Sequence, residues 1–396
     1  MKILHIFSLY PDKLLPNFLK RSKIGLDFAA HNLQESIMKG YEENNADFHV
    51  INAPLMGSFP PYSSMLKIPS YKSEDGIIDS VSYYNVSLIK RFSKQYSVKS
   101  KILDWCKANK GEKCVVVLYN FSCASVAIDI KYRFPNVRVC LLVTDLVEYM
   151  SSKNDALTVL NKKLTSLIPH KDYSECIDGY ILLAKDMRER LPVGNKPYLH
   201  MEGIYNKPSE EVTSEKDTHK VILYTGNINK RYGIENLLKA FSLIKDKDYR
   251  LWIRGNGECE EIVKEFRNND SRIVYFEQMS RNDLLELEKK ATVLVNPVPP
   301  SQTFTRYFFP SKTLEYMASE TPTLMFQLSC FPQGYSNYLY FFEDESVEGM
   351  SKRIVEICSK PSDELVAFGK KAAQFISSEK TPKAQTRRML DFYNSL

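Results

Sequence analysis

Residues 296–322, NPVPPSQTFTRYFFPSKTLEYMASETP, hold the densest set of groups fit to bind a phosphate. An apolar strand runs into a loop rich in proline and aromatic residues, and Pro310-Ser311 then opens a helix carrying Lys312, Glu315 and Met317. Backbone N–H groups at a helix start, the helix dipole and a lysine together suit a pyrophosphate. One turn on, Glu315 is placed to accept hydrogen bonds from a ribose diol. The plainer alternative for Glu315 is a solvated position or an ion pair with Lys312, three residues back.

Two further segments end a strand on glycine. In VILYTGNINKRYGIENLLKAF, residues 221–241, the strand stops at Thr225-Gly226, a short loop carries Asn227, Lys230 and Arg231, and Gly233 precedes an amphipathic helix. Gly226 allows a ligand close to the backbone, and the two cations can neutralise phosphate. A plain strand–turn–helix with surface cations fits the same residues. In LWIRGNGECEEIV, residues 251–263, Gly255-Asn256-Gly257 closes a strand and opens a helix, a setting for an anion-binding turn. The third glycine of a dinucleotide fingerprint is missing, which argues against NAD.

Asp145, at the end of the apolar run VRVCLLVTDL, is the candidate for positioning or deprotonating an acceptor hydroxyl; a helix N-cap is the alternative. His5, His170 and His200 are each isolated, the usual mark of a structural histidine. No metal-ligand spacing is visible. The eight cysteines form no CxxC pair and sit mostly in apolar surroundings, as reduced buried thiols do.

These residues need a frame to hold them. Lys2–Leu9, Phe48–Ala53, Cys114–Tyr119, Arg138–Thr144 and Gly179–Leu183 read as buried strands. A 3.6-residue period through Val126, Ile130 and Phe134 makes 114–144 a strand–helix–strand unit with parallel pairing. Residues 205–220 read as a linker, after which the alternation restarts. Strands are expected at Lys220–Tyr224, Tyr249–Arg254, Arg272–Phe276, Thr292–Asn296 and Pro322–Phe326. Helices are expected at Ile234–Ile244, Cys259–Asn268, Asn282–Lys290 and Lys312–Ser319. Two α/β blocks predict two Rossmann-like, doubly wound domains facing a cleft, 1–205 and 206–380, with an amphipathic helix at 381–396 packing back on the first.

At 396 residues, 43% hydrophobic, the chain can bury two cores without disulfides. Its N-terminus lacks a signal-peptide cleavage pattern, and its longest uncharged stretch, 114–128, falls short of a membrane span. A cytoplasmic protein, peripheral to the inner membrane face at most, is expected. The net charge of +6 lies wholly within residues 1–205, much of it in 91–113. A solvated helix face explains such a run; contact with anionic lipid or a phosphate-linked acceptor is the functional reading. Nucleic acid would call for more charge with interleaved aromatics.

Together, the Gly226–Asn227 loop with Gly233, the Gly255-x-Gly257 turn, and Pro310-Ser311-Lys312-x-x-Glu315-Tyr316-Met317-Ala318 before Thr321-Pro322 resemble the C-terminal half of glycosyltransferase family 4. These are the group 1 glycosyltransferases with the GT-B fold. The resemblance covers residues 221–326, is echoed in YLHMEGIYN at 198–206, and is faint over 1–150. It implies a nucleotide-diphosphate sugar, used as substrate without cofactor or metal, held by the C-terminal domain. Glu315 would match the second glutamate of the family's E-x7-E motif and bind ribose. Ser311 and Lys312 would lie by the phosphates, and Lys230 or Arg231 would neutralise the leaving group.

The pattern departs from the family at three points. Tyr307 stands where the first glutamate falls, beside the donor sugar. Tyr232 replaces the usual lysine, and Ser8-Leu9-Tyr10-Pro11 replaces the N-terminal glycine-rich loop. The reaction implied is transfer with retention to a glycan or lipid-diphosphate-linked glycan, as in surface polysaccharide or glycoconjugate synthesis. A non-catalytic nucleotide- or glycan-binding partner subunit, and a sugar-nucleotide epimerase, are the alternatives.

Overall fold

The computed structural model describes residues 1–146, 171–208, 212–277 and 279–396. The chain folds as two units. One comprises Met1–Ile204 with Pro382–Leu396; the other is Tyr205–Thr381.

The first unit is built on β1 (Lys2–Phe7), β2 (Asp47–Asn52), β3 (Lys67–Ile68), β4 (Tyr71–Lys72), β5 (Ile78–Ser80), β6 (Tyr83–Tyr84), β7 (Cys114–Tyr119), β8 (Val137–Val143), β9 (Gly179–Leu182) and β10 (Tyr198–His200). Eight of these form one sheet in the order β10-β9-β8-β7-β1-β2-β5-β4, and β3 pairs with β6 in a separate ribbon. Among the described residues only β4 runs antiparallel to its neighbour in the large sheet. Val115, Val116 and Val117 of β7 and Leu141 and Leu142 of β8 are all buried, because helices cover both faces of a parallel sheet. Its longer helices among the described residues, apart from the C-terminal one, are α1 (Leu15–Arg21), α2 (Phe28–Glu43), α3 (Ser87–Ala108) and α4 (Val126–Arg133).

From β1 the chain adds β2 and β5 on one side, then returns to add β7, β8, β9 and β10 on the other. The order therefore reverses between β1 and β7. Ser8, Leu9 and Tyr10 follow β1, and their backbone N–H groups are taken by Gln34 Oε1 at 2.6 Å, Asn52 Oδ1 at 2.7 Å and His31 Nδ1 at 3.4 Å. His5 is fully buried between the rings of Phe7 and Tyr41. Burial pushes its pKa down to about 3, so it is a neutral core residue. His200 is half-buried with Nε2 3.2 Å from the Leu183 carbonyl. His170 lies outside the described residues.

The basic run 91–113 falls mainly on α3, where neighbours meet part of the charge. Lys99 pairs with Asp129 at 2.7 Å and Lys101 with Asp79 at 2.5 Å. The amines of Lys90 and Lys94 are desolvated and their pKa values lowered, Lys90 to about 8. Helix α3 also presents two aromatic side chains to solvent: Phe92 and Tyr96, one turn apart, are 71% and 78% exposed, alongside exposed Lys99 and Lys107.

The second unit has β11 (Lys220–Thr225), β12 (Tyr249–Arg254), β13 (Ile273–Phe276), β14 (Val293–Asn296), β15 (Thr323–Met325) and β16 (Tyr340–Phe341), in the order β13-β12-β11-β14-β15-β16. Every pairing is parallel. The helices are α5 (Ile234–Leu243), α6 (Glu260–Asn269), α7 (Arg281–Lys290), α8 (Lys312–Ala318), α9 (Val347–Cys358) and α10 (Ser362–Glu379). Helix α7 starts on a capping box, Ser280 receiving the Asp283 N–H while the Asp283 carboxylate takes that of Ser280.

The last helix, α11 (Pro382–Ser395), packs on α2 of the first unit. Met389 and Tyr393 join Ile37 and Tyr41 in one core, and the Tyr41 and Tyr393 hydroxyls meet at 3.0 Å. Where α11 leaves the second unit, the Tyr205 N–H donates to the Lys380 carbonyl at 2.8 Å, so that unit's two ends lie side by side.

Candidate functional site

In the second unit the strand order reverses between β11 and β14. Ligands of open parallel sheets bind at such a reversal, beyond the carboxyl ends of the strands, where adjoining loops diverge. The loops after β11, β12 and β14 and the start of α8 supply the groups there.

The first two loops are zipped together. The Gly226 N–H donates to the Arg254 carbonyl at 3.0 Å and the Ile228 N–H to the Asn256 carbonyl at 3.1 Å. In return the Cys259 N–H donates to the Ile228 carbonyl at 3.0 Å. A Cβ on Gly255 would lie 1.7 Å from the Gly226 carbonyl oxygen, and φ there is +157°, so glycine is required. Two amides of these loops are engaged by side chains of the same chain. The Gly257 N–H donates to Glu260 Oε1 at 3.0 Å, and the Lys230 N–H to Glu258 Oε1 at 2.9 Å. Asn227 stays exposed at the loop crest, and Gly255, Asn256 and Gly257 shape the loop beneath it.

Gly233 ties this loop to the one after β14. It sits at φ +79°, and a Cβ there would lie 2.1 Å from the Pro297 carbonyl oxygen. Across that approach the Arg231 guanidinium lies 4.9 Å from the Tyr232 ring centroid and 5.2 Å from that of Phe304. Its Nη2 donates to the Tyr232 hydroxyl at 2.9 Å, while its Nε is buried without a partner among the described residues. Tyr232 therefore acts as a shelf that fixes a cation in place. Lys230 is largely exposed, 3.8 Å from Glu235.

On α8, Lys312 Nζ lies 2.5 Å from Glu315 Oε2, with both side chains about a third exposed (33% and 39%). The ion pair raised as the plainer alternative is thus formed. Helix α8 has only seven residues, and its early N–H groups turn back on the chain, Thr313 to the Pro310 carbonyl at 2.8 Å and Leu314 to that of Ser311 at 3.3 Å. Two of the helix-start amides are thus engaged within the chain. Ser311 is exposed beside Lys312, whereas Tyr307 is 3% exposed, within a short 3-10 turn.

Beneath this surface lies a cluster that the sequence patterns above do not single out. The Tyr316 hydroxyl accepts from the Thr225 N–H at 2.7 Å and donates to the Thr225 carbonyl at 2.9 Å, fastening α8 to the end of β11. The Thr225 hydroxyl lies 3.1 Å from the Tyr316 hydroxyl and 3.4 Å from Glu288 Oε1. Glu288, on α7, has no exposed surface, and its Oε2 has no partner among the described residues. Desolvation pushes its pKa up to about 7, with Lys312, Thr225 and Arg281 opposing and Glu315 adding. Tyr205, also affected by Glu288 and Glu315, is raised to about 12, chiefly by burial. The signal for Glu288 was its place at helical spacing among Leu284, Leu287 and Ala291, where an apolar residue belongs.

In the first unit Asp145 follows β8 and is exposed. Asn120, after β7, grips the preceding residue: its Oδ1 accepts from the Thr144 N–H and its Nδ2 donates to Thr144 Oγ1, both at 2.9 Å. Asn120 does this from a left-handed conformation, φ +53°. The Asp145 pKa is raised by desolvation, with Asp27 adding and Thr144 opposing. The residues for which Asp145 would serve as N-cap lie outside the described ones. Among the described residues no three His, Cys, Asp or Glu side chains gather as a metal site, and no helix is long and apolar enough to cross a membrane.

Residues 219–360 match the family described as glycosyl transferases group 1. No curated protein sequence matches. Among solved structures, the sucrose-phosphate synthase of Thermosynechococcus elongatus superposes with a TM-score of 0.64 at 15% identity, covering 100% of this chain and 99% of that one. A trehalose-6-phosphate structure from E. coli, bound with UDP-2-fluoro glucose, gives 0.63 at 8% identity, covering 100% and 99%. A point mutant of S. aureus TarM, in complex with fondaparinux, alpha-GlcNAc-glycerol and UDP, gives 0.52 at 15% identity, covering 86% and 66%. Residues 219–360 are thus similar to the group 1 glycosyl transferases, and by its architecture the chain has the GT-B fold.

Proposed function

We propose that the chain moves a sugar, with retention and without a metal, from a nucleotide-diphosphate donor to a hydroxyl of a glycan or lipid-diphosphate-linked glycan. The donor binds the Tyr205–Thr381 unit, and the acceptor is read by the Met1–Ile204 unit. The observation that carries this reading is the convergence at the strand reversal of the Gly226–Asn227 loop, the aromatic-seated Arg231 and the Lys312–Glu315 pair. Breaking the anomeric C–O bond puts negative charge on the departing diphosphate. Arg231, Lys312 and Lys230 are the cations available to meet it, and losing one well-placed charge-stabilising donor typically costs about 3 kcal/mol. Glu315, released from Lys312 as the phosphates arrive, is free to accept from the ribose diol. Asp145, with its raised pKa, positions or deprotonates the acceptor hydroxyl.

Thermal unfolding with UDP, GDP, ADP, CMP and NAD in turn tests the donor site. A ligand at 100 times its Kd adds about 2.7 kcal/mol. One nucleoside diphosphate is expected to stabilise the wild type and to lose most of that effect in Glu315→Ala; an equal shift in both proteins removes Glu315 from the site. Transfer of sugar from the matching donor is expected to survive a chelator.

The exposed Phe92 and Tyr96 beside Arg91 support an acceptor presented at a membrane, since aromatic side chains with a flanking cation favour the lipid interface. Co-sedimentation with anionic vesicles should fall severalfold in Phe92→Ser/Tyr96→Ser, and unchanged sedimentation would sink this part of the reading.

A second reading, a nucleotide-binding partner without transferase activity, draws on Tyr307: a buried phenol stands where the family places a carboxylate. Tight nucleotide binding with neither transfer nor hydrolysis of any donor would favour it.

A further inference from the structure

Glu288 has no role in the reaction just described, yet it touches the parts that hold the donor. Its Oε1 meets the Thr225 hydroxyl, the Thr225 hydroxyl meets Tyr316, and Tyr316 clamps both the N–H and the carbonyl of Thr225. Thr225 is the residue before Gly226, and Tyr316 is the residue after Glu315. The charged and titratable groups that face Glu288 are Lys312, Glu315 and Tyr316 of α8, Arg281 at the start of α7, and Tyr205 from the segment entering the unit.

The hydrogens along this chain of contacts can run in two ways. With Glu288 protonated, it donates to Thr225 Oγ1, Thr225 donates to Tyr316, and Tyr316 donates to the Thr225 carbonyl. With Glu288 ionised, the Thr225 hydroxyl must turn to the carboxylate, and Tyr316 loses that donor. The ionised carboxylate also draws on Lys312, the cation nearest the expected diphosphate, and adds negative charge beneath an anion. No solvent reaches Glu288 to screen either effect.

We propose that Glu288 is a positioning residue of the nucleotide subsite, acting through Thr225 and Tyr316 on the Gly226–Asn227 loop and through Lys312 on Glu315, so that diphosphate affinity falls as its carboxyl ionises. This rests on the donor-site reading above. Desolvation places the titration near neutrality, where a modest pH change alters the population.

The test is calorimetric titration of the intact protein with UDP, or whichever of UDP, GDP and ADP stabilises it, at pH 6 and pH 8. The wild type is expected to lose at least about threefold more affinity over this interval than Glu288→Gln, which keeps the shape and cannot ionise. The nucleotide's own phosphate titration is common to both proteins and cancels. Thr225→Val supplies a second variant of near-equal volume. Removing a hydroxyl that favours the ionised form moves the midpoint of the affinity change to higher pH than in the wild type. Binding with the same pH course in all three proteins overturns the role of Glu288 and leaves the donor site standing. No binding by any of them at either pH overturns both.

Discussion

A carboxyl group with no exposed surface and one unpartnered oxygen is easier to hold neutral than charged. For Glu288 this has a consequence without any ligand. Its pKa stands at about 7 in the folded chain against an ordinary 4.5, so its favourable, protonated form is fully present below 4.5 and is lost as pH rises through 7. Denaturant unfolding should therefore show Glu288→Gln gaining about 2–3 kcal/mol on the wild type between pH 5 and pH 8. A constant difference would mean that the carboxyl ionises in the folded chain as readily as in the unfolded one, through a partner found on ionising. Spacing alone made Gly226, Lys312 and Glu315 legible as candidates, because strand–glycine–helix punctuation is local. It did not reveal that Glu260 and Glu258 occupy loop amides, or that Arg231 rests on Phe304 from a loop some seventy residues away. Those contacts are long-range, and their residue types are ordinary for a surface.

At the scale of elements, most parallel strands were readable because both faces are buried, which leaves runs such as CVVVLY and KVILYT between polar turns. Strands β3 to β6 escaped notice, being two or three residues long, and only tertiary pairing defines such elements. Helices α2 and α3 are long yet hard to see, since His31, Gln34 and Ser36 lie buried on α2 and several lysines of α3 are folded against neighbours. The contact between α2 and α11 is steric as well as apolar. A Cβ on Gly40 would lie 2.3 Å from the Pro382 carbonyl oxygen and 2.5 Å from Thr386 Oγ1. Gly40→Ala is therefore expected to destabilise the first unit by about 1–3 kcal/mol, measured by chemical denaturation. Full stability in that variant would show that the two helices can move apart without loss.

At the scale of the molecule, the division of charge was visible in the sequence, and its meaning changed with the structure. Two α3 lysines pair with Asp129 and Asp79, which the +6 of residues 1–205 already counts, so that excess stays on the unit, and exposed aromatic side chains stand beside it. The chain also passes between its two units twice, after Ile204 and again after Thr381, so Tyr205–Thr381 is inserted within the other unit. On the ribosome this sets an order of assembly. The first unit begins synthesis first, but Met389 and Tyr393, which close its core over Ile37 and Tyr41, are made only after every residue of the inserted unit. The inserted unit can finish folding while its host still exposes an apolar seam along α2, the state in which nascent chains are prone to aggregate and to recruit chaperones.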